Sequence, residues 1–90
     1  MTCTKEFTIP NKLGMHARPA AQFVKRASKY QCEVWVEKDD EQVNGKSIMG
    51  LMMLAAGQGA KISITTEGDD AEGAMEELTS LIQSGFDDQE

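Results

Sequence analysis

The chain has 90 residues, 9 Lys and Arg against 15 Asp and Glu, a formal charge of -6, one His and two Cys. That length allows one domain with a modest core, since a chain of this size buries only roughly 60–65% of the surface it exposes when unfolded. The acidic balance argues against a duplex nucleic-acid partner, which needs Lys and Arg to displace counterions from phosphates. The charge is unevenly placed: residues 1–66 carry 9 basic and 6 acidic side chains, a charge of +3, and residues 67–90 carry 9 acidic ones and no base, a charge of -9. Lys12, Arg18, Lys25, Arg26 and Lys29 fall in one stretch without an acid. The N-terminus MTCTKEFTIP lacks the apolar run of a secretory signal, and Ile48 to Ala56 is far shorter than the roughly 20 apolar residues that cross a bilayer. These features predict a cytoplasmic chain without membrane insertion, with Cys3 and Cys32 as reduced core thiols.

In chain order, Cys3, Phe7 and Ile9 share one parity, interrupted by Lys5, and predict a half-buried strand stopped at Pro10-Asn11. Ala20, Phe23, Val24 and Ala27 follow helical spacing. Cys32, Val34 and Val36 alternate with Glu33, Trp35 and Glu37, and the polar run Lys38 to Glu41 turns the chain into a short strand near Gln42 to Asn44, a hairpin. Ile48, Leu51, Met52 and Ala55 then form a second helical stripe expected to face a sheet, closed by Gly57 and Gly59, with Met49, Met53 and Leu54 on its other sides. Ile62, Ile64 and Thr66 predict a further strand. Ala71, Ala74, Met75, Leu78, Leu81 and Ile82 mark the clearest amphipathic helix, with Asp69, Asp70 and Glu72 at its positive end. From Gly85 the chain is polar and acidic, which predicts a single domain over residues 1–84 and a flexible tail over 85–90. The order β-α-β-β-α-β-α predicts an α+β two-layer fold, three helices over one face of a four-stranded sheet. A ferredoxin-like arrangement is disfavoured, because a second helical run of roughly eight residues is short for its crossover helix.

The single His lies in Gly14-Met15-His16-Ala17-Arg18-Pro19-Ala20, directly ahead of the first helical stripe. If the helix starts at Ala17, Pro19 sits in the first turn, where its missing N–H is one the helix does not bond. His16 is then at the cap. Beside it, first-turn N–H groups and the positive helix end receive an anion, and Arg18 adds planar donors that match phosphate oxygens. Imidazole carries a nucleophilic lone pair near neutral pH, so this grouping suits capture of a phosphoryl group on a ring nitrogen without a cofactor. A surface His beside an ordinary cap is the plainer reading, and Gly14, Arg18 and Pro19 weigh against it. No second His and no zinc-type Cys spacing accompany His16, so no metal site is predicted.

The segment Leu13 to Ala21 (LGMHARPAA) closely resembles the site signature of the HPr family, the histidine-containing phosphocarriers of the phosphoenolpyruvate-dependent phosphotransferase system. The likeness spans about residues 3–84 and implies an open-faced βαββαβα sandwich with an antiparallel sheet. It implies that His16 accepts a phosphoryl group on Nδ1 from phosphorylated Enzyme I and passes it to IIA-type sugar-permease components. Arg18 and the backbone N–H groups of Ala17 and Arg18 would hold the phosphoryl oxygens. Such a chain is a monomeric carrier shared by two enzymes rather than an enzyme itself. A nitrogen-related relay carrier of the NPr type, and a protein-binding module that leaves His16 unused, are the alternatives; Pro19 after Arg18 favours the sugar-transport form.

Val43 to Leu54 (VNGKSIMGLMML) resembles the regulatory-serine region of the same family. As a structural feature, Ser47 is a good helix cap, worth about 0.5–2 kcal/mol. By resemblance it is also a phosphorylation site for an ATP-dependent HPr kinase/phosphorylase, a modification that a helix N-terminus tolerates. Met49 and Met53, beside Lys46, are expected to form an adaptable docking patch for partner proteins. The five basic residues from Lys12 to Lys29 are expected to steer acidic partner surfaces towards His16.

Overall fold

A computed structural model describes residues 1–87. Four strands, β1 (Thr2–Thr8), β2 (Glu33–Lys38), β3 (Glu41–Asn44) and β4 (Lys61–Glu67), form one antiparallel sheet in the order β1-β4-β2-β3. Helices α1 (Ala17–Ala27), α2 (Ile48–Met53) and α3 (Ala71–Gln83) cover one face. The alternating strands explain which face. In β4, Ile62, Ile64 and Thr66 are buried beneath the helices, while Lys61, Ser63, Thr65 and Glu67 have the opposite parity. The register places Thr66 between Cys3 of β1 and Val34 of β2, and Ile64 next to Val36. From the helices come Ala20, Phe23, Ala27, Leu51, Ala74, Leu78, Leu81 and Ile82. The buried Thr66 hydroxyl in this layer donates to Ala71 O at 2.8 Å and ties β4 to the start of α3.

Two sequence expectations are corrected. In α2 the inward residues are Leu51 and Leu54, whereas Ile48, Met52 and Ala55 are exposed. The helix has only six residues, and at Ala55 the backbone turns to φ 51°, so the stripe ends before a full helical period is completed. Asp70 does not cap α3 with its side chain; its two carboxylate oxygens accept from the backbone N–H groups of Gln31 and Cys32, both at 2.9 Å. Those bonds hold its carboxyl below the usual carboxylate range.

The second correction concerns the C-terminus. Phe86 is fully buried, and its N–H closes on Leu81 O at 2.8 Å. Gly85, Phe86 and Asp87 all have positive φ, a left-handed C-terminal turn that folds the chain back over α3. The flexible tail expected from Gly85 therefore does not begin there; its remainder, 88–90, lies outside the described residues. Cys32 is buried just ahead of β2, Cys3 is half-buried in β1, and both are free thiols.

Candidate functional site

The site is assembled from two segments far apart in sequence. After β1 the chain is clamped to the segment before β4: Ile9 N–H donates to Ala60 O and Gly59 N–H to Ile9 O, each at 2.9 Å. Inside the loop, Asn11 Nδ2 donates to Gly14 O at 2.7 Å and Gly14 N–H to Asn11 O at 3.1 Å. Gly14 has φ 71°, and a Cβ there would lie 2.4 Å from Ala56 O. Only glycine permits both the left-handed turn and this approach. Met15, buried, then donates its N–H to Ala56 O at 2.8 Å. The residue before His16 is thus fixed by side-chain burial and by a backbone bond.

His16 is the N-cap of α1, extended at φ -91° and ψ -169°, and its carbonyl accepts the first helical bond from Ala20 N at 3.0 Å. The ring is half-exposed and makes no capping hydrogen bond to the helix. Ala17 and Arg18 occupy the first two helical positions, exposed, and Pro19 turns inward with Ala20 and Phe23. A helix supplies no internal acceptor for its first N–H groups, and the proline removes one of these, so Ala17 and Arg18 provide the donors. No acid lies in this first turn, so the positive helix end meets no carboxylate from its own helix. The His16 ring and the exposed Arg18 thus both stand at the start of α1, where a helix leaves its first amides without an internal acceptor.

A family model described as the PTS HPr component phosphorylation site matches residues 3–84. The chain belongs to the HPr family. It is 55% identical over 78 residues to the phosphocarrier protein HPr of Neisseria meningitidis serogroup A, covering 87% of this chain and 88% of that one. It is 48% identical over 79 residues to the HPr-like protein Crh of Halalkalibacterium halodurans, covering 88% and 94%. The crystal structure of HPr from Thermoanaerobacter tengcongensis superposes with a TM-score of 0.92 at 48% identity, over 98% of this chain and 99% of that one. This HPr-family protein is a phosphocarrier of the phosphotransferase system, with the open-faced α+β fold of its relatives.

The other sequence-predicted residues sit on or beside α2, which packs against α1. Ser47 is the N-cap of α2, and its Oγ accepts from Gly50 N–H at 3.0 Å. A Cβ at Gly50 would come within 3.3 Å of that oxygen, so the missing side chain leaves room for the cap. Met49 and Met53 are exposed and lie with Ile48 and Met52 around one shallow apolar depression. Lys46 is half-buried instead of extended: its Nζ donates to Tyr30 O at 2.7 Å. Among the five basic residues from Lys12 to Lys29, Arg26 and Lys29 are held by acids from the C-terminal part of the chain. Arg26 Nη2 pairs with Asp87 at 2.9 Å, and Lys29 Nζ with Glu77 at 2.8 Å. Sequence reasoning missed Asn11, Met15 and Ala56. A glycine before a histidine hints at a special backbone, but nothing in the sequence shows which distant carbonyl it must approach.

Proposed function

We propose that His16 is the phosphoryl acceptor and donor of this carrier. The observation that carries the reading is the placement of a half-exposed imidazole at the start of α1, backed by the bond from Met15 N–H to Ala56 O and facing a first turn free of acids. A ring nitrogen, Nδ1 by family resemblance, attacks phosphorus on phosphorylated Enzyme I; the P–N bond forms as the bond to the donor breaks. The phosphoryl oxygens then rest on the N–H groups of Ala17 and Arg18 and on the Arg18 guanidinium, the stabilisation a developing dianion requires. Transfer to a IIA-type sugar-permease component reverses the step. Met49 and Met53, with Ile48 and Met52, give both partners an apolar docking surface, and Lys46 borders it with whichever donors Tyr30 O leaves available. Ser47 is a regulatory phosphosite where the cell has an HPr kinase/phosphorylase with ATP. The setting is the cytoplasm, where the system's phosphoenolpyruvate is found.

The experiment is incubation with phosphoenolpyruvate and Enzyme I, followed by intact mass with and without brief acid. One acid-labile phosphoryl group that disappears in His16→Ala supports the reading; no gain with a cognate Enzyme I overturns it. A nitrogen-related relay would use the same His16 and differ in its acceptor, so transfer to a sugar-specific IIA component separates the two. For Ser47, the expected result is an acid-stable, ATP-dependent phosphate that Ser47→Ala abolishes.

A further inference from the structure

The chain has six methionines, and the fold divides them sharply. Met15 and Met75 are core residues, exposed by only 5% and 8%, whereas Met49, Met52 and Met53 show 74%, 44% and 65% of their surface. Those three lie on one short helix and, with Ile48, line a single apolar depression. We propose that Met49, Met52 and Met53 form an oxidation-sensitive site, and that their conversion to sulfoxides slows phosphoryl transfer by making the docking face polar. The inference rests on the docking reading above.

The chemistry needs an oxygen-donating oxidant of the peroxide class. The thioether lone pair attacks a peroxide oxygen, the S–O bond forms and the O–O bond breaks. Sulfur is oxidised by two electrons, and the departing hydroxide takes a proton and leaves as water. A flexible apolar side chain becomes a polar one, and methionine sulfoxide reductases reverse the change. The buried sulfurs compete poorly. Cys32 is buried, and burial pushes its thiol up, away from the reactive thiolate. A thioether needs no deprotonation. The damage also stays local, because Leu51 and Leu54 hold α2 to the core and Ser47 caps it, none of which involves the exposed sulfurs.

The test treats the full chain with graded hydrogen peroxide and maps oxygen gain by peptide mass spectrometry. Met49, Met52 and Met53, together with the exposed N-terminal Met1, are expected to be modified well before Met15 and Met75. The rate of phosphorylation by phospho-Enzyme I is expected to fall about tenfold, the scale of losing one well-packed apolar anchor, with an unchanged melting curve, and to recover after treatment with methionine sulfoxide reductases. In the variant M49L/M52L/M53L, peroxide is expected to leave the rate at that variant's own untreated value. Earlier oxidation of Met15 or Met75, an unchanged rate in the oxidised protein, or a peroxide-induced loss persisting in the Leu variant would each overturn the inference. Met49→Glu with Met53→Glu tests docking separately. If it slows transfer and oxidation does not, the inference fails and docking stands; if neither slows transfer, both fail.

Discussion

At the start of α1, His16 is half-exposed and Arg18 exposed beside a first turn without acids, whereas at its end Arg26 and Lys29 are bound by Glu77 of α3 and by Asp87. Both ends belong to the same basic stretch of sequence. Among these basic residues, Lys25 and Arg26 of the last turn complement the negative end of the helix, and Arg26 with Lys29 pairs with Glu77 and Asp87. Those of the first turn face no such acid from their own helix and remain suited to an anion arriving from outside. Equal charge in sequence thus divides into a structural clamp and, on the function proposed above, a receiving site, and the divider is α3 with the turn that follows it. It also follows that the acidic C-terminal segment does more than keep the chain soluble, since Glu77 and Asp87 anchor the far end of the helix that carries His16.

The comparison breaks most visibly if the clamp end is removed. Phe86→Ala empties a fully buried aromatic site and frees Asp87 from its position. The expected loss is about 3–5 kcal/mol of stability, measured by urea unfolding, with the phosphorylation rate per folded molecule little changed. A loss below about 1 kcal/mol, within the range of ordinary surface substitutions, would show that the C-terminal turn is not part of the core. At the other end, Arg18→Ala is expected to do the opposite. It removes charge-assisted hydrogen bonds worth about 1.5–3 kcal/mol to the phosphoryl group, roughly a 10- to 100-fold slower transfer, while the melting curve stays in place. Single-turnover phosphorylation by phospho-Enzyme I reads the first effect, and thermal unfolding the second.

The sequence showed the grouping at the start of α1 well and the clamp at its end poorly, for physical reasons. His16, Arg18 and Pro19 are local neighbours, and helix-start chemistry ties them together without knowledge of the fold. The order of elements was legible because strand alternation and helical spacing differ in period, as in Ile62, Ile64 and Thr66 against Leu78, Leu81 and Ile82. The orientation of α2 was not legible. One and a half turns do not define a stripe, and Leu51 with Leu54 fit the data as well as Leu51 with Met52 until the turn at Ala55 is seen. Phe86 was overlooked because it follows a glycine in a polar, acidic segment. Its burial depends on a left-handed turn and on the surface of α3, neither of which has a local signature. Asn11 supports the turn before His16 with its own side chain on Gly14 O, and Ala56 does so through a backbone contact from a distant part of the chain, which leaves no side-chain pattern.

Glu77 sharpens the account of the clamp through pH. Its carboxylate accepts from Lys29 Nζ at 2.8 Å and from the Tyr30 hydroxyl at 2.6 Å, and these bonds, with Arg26 nearby, hold its carboxyl below the usual range. The same carboxylate raises the Tyr30 phenol, chiefly through the hydrogen bond. A depressed carboxyl favours folding above the ordinary carboxylate range, roughly pH 4.3, and that contribution disappears as pH falls through the lower folded value. The raised phenol contributes below about pH 10 and loses its effect as pH rises through its folded value. Glu77→Gln is therefore expected to cost about 1 kcal/mol near neutrality. It should also flatten the fall in stability below roughly pH 4.3, followed by urea midpoints as pH is lowered. A variant as acid-sensitive as the parent would place the stabilisation elsewhere.

The smallest effect tests the division of charge most directly. If Arg26 and Lys29 belong to the clamp, the variant R26Q/K29Q gives up two partly exposed ion pairs, about 0.5 kcal/mol each at low salt and less when salt screens them. Transfer from phospho-Enzyme I should then stay within about twofold, because the charges were already neutralised by Glu77 and Asp87 before any partner arrived. If instead the whole basic stretch steers acidic partners, removing two of its five charges lowers the association rate several-fold at low ionic strength, and the difference shrinks as salt is added. The two outcomes differ in where the salt dependence appears, in unfolding for a clamp and in transfer for a steering patch. Measuring both on one variant decides whether α3 divides the stretch or merely decorates it.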